Sequence, residues 1–208
     1  TFQACELKLE GSGYSVEEIV NAGVSLAKKS GARYTALDIG PTGQLLEPMG
    51  TLSFDKAYEL FKRQMIAGEK AGADLILIET MSDLYEMKAA ILAAKENTDL
   101  PVFATMTYQE DGRTFTGTDP LTGTITLQSL GADALGVNCS MGPEELMPVV
   151  EQILEYSRVP VMVQANAGLP KMREGETEYD VYPEGFADIV SEMVANGEGI
   201  IGECCSNS

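Results

Sequence analysis

The sequence predicts an α/β protein whose parallel strands curl into a (β/α)8 barrel of the TIM type, and three observations lead there. Short apolar runs alternate with amphipathic stretches along all 208 residues. The runs begin at residues 34, 75, 102, 134, 159 and 199, a spacing that suits repeated βα units. Most are nearly continuous in Val, Ile, Leu and Ala, as strands covered on both faces require. No GxGxxG or GxxxxGK[ST] appears, which removes the commonest nucleotide-binding forms of an open doubly wound sheet and favours the barrel.

The elements follow in chain order. Residues Thr1 to Leu9 read as helical. Ser15 and Glu18 have the spacing of a capping box, which opens a helix over Val16–Lys29. The strands expected are Tyr34–Ile39, Leu75–Thr80, Val102–Thr107, Ala134–Cys139, Val159–Ala165 and Gly199–Gly202. Between them the helical period runs through Phe54–Ala71, Asp83–Glu96, Pro120–Leu130, Pro143–Tyr156 and Pro183–Ala195. Pro120, Pro143 and Pro183 suit first helical positions, where the missing N–H has no intrahelical acceptor. Gly31, Gly72, Gly131 and Gly197 stand where helices hand over to strands. Six strands are present where a barrel needs eight, so the reading is one partial barrel domain over residues 1–208, truncated by its first two strands and last helix.

Composition narrows the chemistry. Apolar residues make up 44% and charged residues 22%, enough for a sizeable core. Fourteen basic residues against 32 acidic leave a formal charge of −18, a field that repels a phosphate backbone, so no nucleic-acid partner is expected. No apolar run approaches the ~20 residues that cross a bilayer, and no signal-like segment precedes the first helix; the expected location is the cytoplasm. Histidine is absent. Its absence removes Ser-His-Asp and Cys-His pairs, imidazole acid–base work and histidine metal sites.

Four cysteines remain: Cys5, Cys139, Cys204 and Cys205. They are too sparse for a disulfide scaffold, and an adjacent pair makes a poor cross-link. Three fall at strand ends, where barrel active sites lie. Two readings are open for them. They are small buried hydrophobes, or they are three thiolates that hold a tetrahedral Zn²⁺ with one position left for a substrate thiol. The second reading requires the backbone to curl after the last strand, because vicinal residues of a regular strand point to opposite faces. Gly202 offers that freedom. Cys5, inside the first helical stretch, reads as packing.

The motifs resemble a known family. Gly136-Val137-Asn138-Cys139 and Gly202-Glu203-Cys204-Cys205 are similar to the two zinc-ligand motifs of the homocysteine S-methyltransferases, in particular their cobalamin-dependent branch. Asp38 to Gly43, Ile78-Glu79-Thr80, Asn166 to Pro170 and Thr1-Phe2 also match, so the resemblance covers essentially the whole chain. It implies a (β/α)8 barrel in which Cys139, Cys204 and Cys205 hold Zn²⁺. The metal would bind the homocysteine thiol as a thiolate for methyl transfer, giving methionine. It also implies that Glu79 receives the homocysteine amino group, with Asn138 and Thr1 as further substrate contacts. Methylcobalamin on a separate module is the implied methyl donor, and cobalamin- and methyltetrahydrofolate-binding modules are the implied partners. Betaine or S-methylmethionine is the alternative donor within the class. Asp38 is expected to be structural. Glu203 stands where the family has a second glycine, and the expectation is that its charge lowers metal affinity. The rival reading is a non-catalytic or incomplete domain that binds at most a metal or a partner.

Overall fold

The computed structural model describes residues 3–168, 171–173, 176–178, 181–197 and 199–204. The chain opens with a short helix α1 (Glu6–Leu9) and a longer α2 (Val16–Lys29), and then alternates. Strand β1 (Ala36–Ile39) leads to α3 (Phe54–Ala71), β2 (Leu75–Met81) to α4 (Leu84–Asn97), and β3 (Val102–Met106) to α5 (Pro120–Ser129). Then come β4 (Ala134–Asn138), α6 (Pro143–Tyr156) and β5 (Val161–Ala165). A small hairpin of β6 (Lys171–Arg173) and β7 (Glu176–Glu178) precedes α7 (Pro183–Asn196) and β8 (Ile200–Glu203).

Six strands form one parallel sheet in the order β1-β2-β3-β4-β5-β8. Sequential neighbours joined by helices give a curled arc of the (β/α)8 barrel, the architecture that the strand spacing predicts. Its two faces differ. Leu37, Ile39, Ile76, Ile78, Val102, Ala104, Leu135, Val137, Val161 and Val163 point outwards beneath the helices, and all are buried. Of the opposite parity, which faces the concave side, Leu77, Phe103 and Gln164 are only partly buried, whereas Thr105 and Asn138 are fully buried.

The helices hold their faces by ordinary spacing. Ala57, Leu60, Phe61, Gln64, Met65 and Gly68 of α3 are all buried, a three- and four-residue rhythm against the sheet. Gly68 lies so close to β1 that a Cβ there would come within 2.3 Å of Leu37 Cδ2. Burial of Phe61, 0% exposed, contributes about 2–3 kcal/mol. Ser15 caps α2 in the expected box, its hydroxyl accepting from Glu18 N at 3.2 Å while Glu18 Oε2 accepts from Ser15 N at 2.8 Å. Gly72 ends α3 in the left-handed region at φ 87°, a conformation that glycine adopts without a Cβ penalty.

Two local expectations change. Of the helix expected from Thr1 to Leu9, the described residues form only Glu6–Leu9. Before it, Ala4 N–H donates to Gln64 Oε1 at 2.9 Å, and the Gln3 amide donates to Gly40 O. These long-range bonds hold residues 3–5 against α3 and the loop after β1, and they outweigh local helix propensity. The β6–β7 hairpin was not expected, because its strands are three residues each and rich in charge.

Candidate metal and substrate site

The C-terminal rim of the arc gathers the chemistry-bearing side chains. Asn138 is the last residue of β4, and Cys139 follows it; Cys204 follows the last residue of β8. Between the two strands lies β5, paired with both in parallel register. Cys139 N–H donates to Gln164 O at 3.2 Å, and Cys204 N–H donates to Ala165 O at 3.1 Å. Two cysteines 65 positions apart in sequence thus attach to consecutive carbonyls of one strand, from its opposite sides. Both are partly exposed, whereas Cys5 is fully buried beside α1, as expected of a packing residue.

Asn138 organises this rim. It is 0% exposed, and its side chain reaches across the concave face. Oδ1 accepts from Thr80 N–H at 2.7 Å and from the Thr105 hydroxyl at 2.8 Å. Nδ2 donates to Thr80 Oγ1 at 2.8 Å and lies 3.9 Å from Cys204 Sγ, within reach of a weak N–H···S bond. One amide therefore ties β2, β3 and β8 together. Its carbonyl oxygen is held as well, accepting from the hydroxyls of Thr107 at 3.2 Å and Ser140 at 3.0 Å.

Among the described residues, the non-glycine positions with positive φ are Thr80 (61°) and Cys139 (48°), both on this rim. For a β-branched threonine that conformation is strained, and such strain concentrates where geometry serves function. The register of β2 against β3 shifts between Ile78 and Met81, and Glu79 and Thr80 occupy the irregularity. Glu79 is 6% exposed, a carboxylate held at the tip of β2.

Of the residues expected in the site, the structure therefore brings Cys139, Asn138, Cys204 and Glu79 to one rim. Cys205 and Thr1 lie outside the described residues. Asn138 is spent on Thr80, Thr105 and Cys204. Sequence reasoning missed Thr80, Thr105 and Ser140, which are ordinary strand and loop residues until the fold brings them around Asn138. It also missed Gln164, which is in register with both Asn138 and Gly202. Gly202 leaves room for this side chain, since a Cβ there would sit 2.9 Å from Gln164 Cγ. Gln164 Oε1 is buried without a hydrogen-bond partner among the described residues. Glu203 takes the parity opposite to Gly202 and Cys204 and is exposed, so its charge points away from the concave face.

The loops behind the rim are pinned by a second buried carboxylate. Glu86 on α4 is 4% exposed, and its Oε1 accepts from Thr42 N–H at 2.8 Å and the Thr42 hydroxyl at 2.6 Å. Burial pushes its carboxyl upwards, opposed by the two Thr42 bonds. Nearby, burial and then the charge of Asp119 push the Tyr108 hydroxyl well up, so that it stays neutral.

The donor set fits zinc. Two soft thiols flank one strand, the chain contains no imidazole, and a third cysteine follows Cys204 directly. Among the described residues, Cys139, Cys204 and the acidic side chains form no cluster of three. No helix among the described residues is long and apolar enough to cross a membrane.

Known proteins place the chain further. Methionine synthase from Mycobacterium tuberculosis is 30% identical over 182 residues, 85% of this chain and 15% of that protein. The Mycobacterium leprae methionine synthase is 29% identical over the same shares. The chain thus spans about 15% of the length of these curated relatives. The crystal structure of the Escherichia coli homocysteine methyltransferase MmuM in its metallated form has the same fold, with a TM-score of 0.80 at 19% identity. That match covers 100% of this chain and 73% of that one. The sequence model of the homocysteine S-methyltransferases matches residues 1–208 from end to end, and the chain belongs to that family.

Proposed function

We propose that this chain is the homocysteine-activating module of a methionine synthase, transferring a methyl group from methylcobalamin on a separate module to homocysteine. The observation that carries the reading is the attachment of Cys139 and Cys204 to successive carbonyls of β5 at the barrel rim, with Glu79 buried at the tip of β2. Family membership and the identity to much longer methionine synthases support it.

In this reading Cys139, Cys204 and Cys205 hold Zn²⁺. Bound there, the ion supplies the Lewis acidity that keeps a substrate thiol deprotonated at neutral pH, and the thiolate is the nucleophilic form. The chain's own residues do the rest. Glu79 takes the substrate ammonium in a charge-assisted hydrogen bond, fixing the amino acid end while the sulfur end lies by the cysteines. The strained turns at Thr80 and Cys139 keep both ends at a set separation, so that the thiolate meets the methyl donor already oriented. Asn138, wholly inside the protein, orients this machinery. Cobalamin- and methyltetrahydrofolate-binding modules are the partners, and the compartment is the cytoplasm.

Zinc content and homocysteine titration calorimetry on the reduced chain test the reading, followed by mixing with methylcobalamin. One zinc per chain, homocysteine binding that requires it, and spectral loss of the methyl–cobalt species with methionine formed are expected. A chain that takes up no zinc, or binds homocysteine equally well without it, refutes the assignment.

A further inference from the structure

We propose that Asn138 is a positioning residue that couples the two ends of the site, setting the Cys204 sulfur and the Glu79 carboxylate through one buried amide. The inference rests on the reading above for what those two ends bind.

The geometry requires one side chain to serve both ends. Nδ2 has two hydrogens; one is directed at Thr80 Oγ1 at 2.8 Å and the other at Cys204 Sγ at 3.9 Å. Oδ1 has two acceptor sites, taken by Thr80 N–H at 2.7 Å and the Thr105 hydroxyl at 2.8 Å. The amide is therefore fully subscribed, and rotating it to suit one partner breaks bonds to the others. Two of its four bonds go to Thr80, the residue after Glu79, which is held at φ 61° where β2 leaves register with β3. A threonine holds that conformation only if its surroundings fix it. The bonds from Asn138 to both its N–H and its hydroxyl supply that restraint, and through it the direction in which Glu79 projects. The remaining donor restrains the sulfur. Outer partners of this kind commonly change metal affinity 10–100-fold when removed.

Two substitutions probe the link from its two ends. Asn138→Asp keeps acceptors for Thr80 N–H and the Thr105 hydroxyl but deletes the donor to both Cys204 Sγ and Thr80 Oγ1. Thr80→Val keeps the β-branch and the backbone bond but removes the hydroxyl that holds Nδ2, and it is no neighbour of Cys204 in sequence or in the sheet. Three readouts apply to the full chain: zinc loss to a colorimetric chelator, homocysteine affinity by calorimetry, and iodoacetamide alkylation of Cys204 mapped by peptide mass spectrometry. Alkylation is run on metal-free protein at alkaline pH.

Both variants are expected to lose zinc roughly tenfold faster, to bind homocysteine roughly tenfold more weakly, and to alkylate severalfold faster at Cys204 than wild type. Glu79→Gln weakens homocysteine binding alone. Should Thr80→Val, folded by circular dichroism, leave zinc loss and Cys204 alkylation at wild-type rates, the coupling is overturned. It is equally overturned if both variants release zinc faster yet bind homocysteine normally. A failure of the underlying functional reading appears in the unsubstituted chain, whereas a failure of the coupling appears only in the variants.

Discussion

Cys139 and Cys204 donate their backbone N–H groups to Gln164 and Ala165, neighbouring carbonyls of β5, at 3.2 and 3.1 Å. That relationship brings their backbones to the same rim, on either side of β5, despite their distance in sequence, and the proposed metal role assigns each cysteine a separate test. Cys139→Ser and Cys204→Ser are each expected to lower bound zinc from one per chain to a small fraction, because oxygen is a poor substitute for thiolate in a soft donor set. Cys5→Ser is expected to retain full zinc while costing about 1 kcal/mol for a buried hydroxyl. Elemental analysis after desalting checks all three.

Glu79→Gln removes the charge proposed to pair with the substrate ammonium. Charge-assisted hydrogen bonds contribute about 1.5–3 kcal/mol, so the homocysteine dissociation constant should rise roughly 10- to 100-fold. Zinc content should be unchanged, since this carboxylate is not among the expected ligands. Calorimetry with zinc-loaded protein separates the two effects.

The Glu86–Thr42 pair predicts a dependence on pH. Burial raises the Glu86 carboxyl above its unfolded value, so the folded state holds the proton more tightly. The stability it contributes is fully present below the ordinary carboxylate range and is lost as pH rises through the raised folded value. Glu86→Gln keeps the acceptor for Thr42 without the buried charge. Denaturant unfolding from acid to neutral pH should show the variant gaining on wild type as pH rises. A gap that is flat with pH would contradict this account.

Gly136 of the β4 motif lets β4 lie close against β5. A Cβ there would lie 1.8 Å from Met162 O, on backbone of β5 that has no room to retreat. Gly136→Ala is expected to cost about 3 kcal/mol or more and to separate the strands that carry Cys139 and the Gln164 carbonyl. Chemical denaturation measures the loss directly.

The strands and their helices were legible because buried parallel strands write themselves as continuous Val, Ile and Leu, and because Pro120, Pro143 and Pro183 mark helix starts. The Ser15 box fixed the start of α2 to the residue. The cysteine motifs located the rim. The role of Asn138 was not legible, since its bonds to Thr80 span 58 positions and depend on a β2 irregularity that no local pattern encodes. The same holds for Gln164, whose place beside Gly202 follows from strand register. The ends of individual strands shifted by one or two residues. β1 starts at Ala36 rather than Tyr34, because Tyr34 is exposed at the edge of the sheet and lies over Arg33 instead of in the core.

Glu203 projects into solvent from the side of β8 opposite its neighbour Cys204. Strand alternation thereby separates the two residues chemically although they are joined by one peptide bond. This position is accordingly a natural attachment point for a fluorescent or spin label. A dye carried there would report on binding at the proposed site beside Cys204 while staying on the opposite side of the strand.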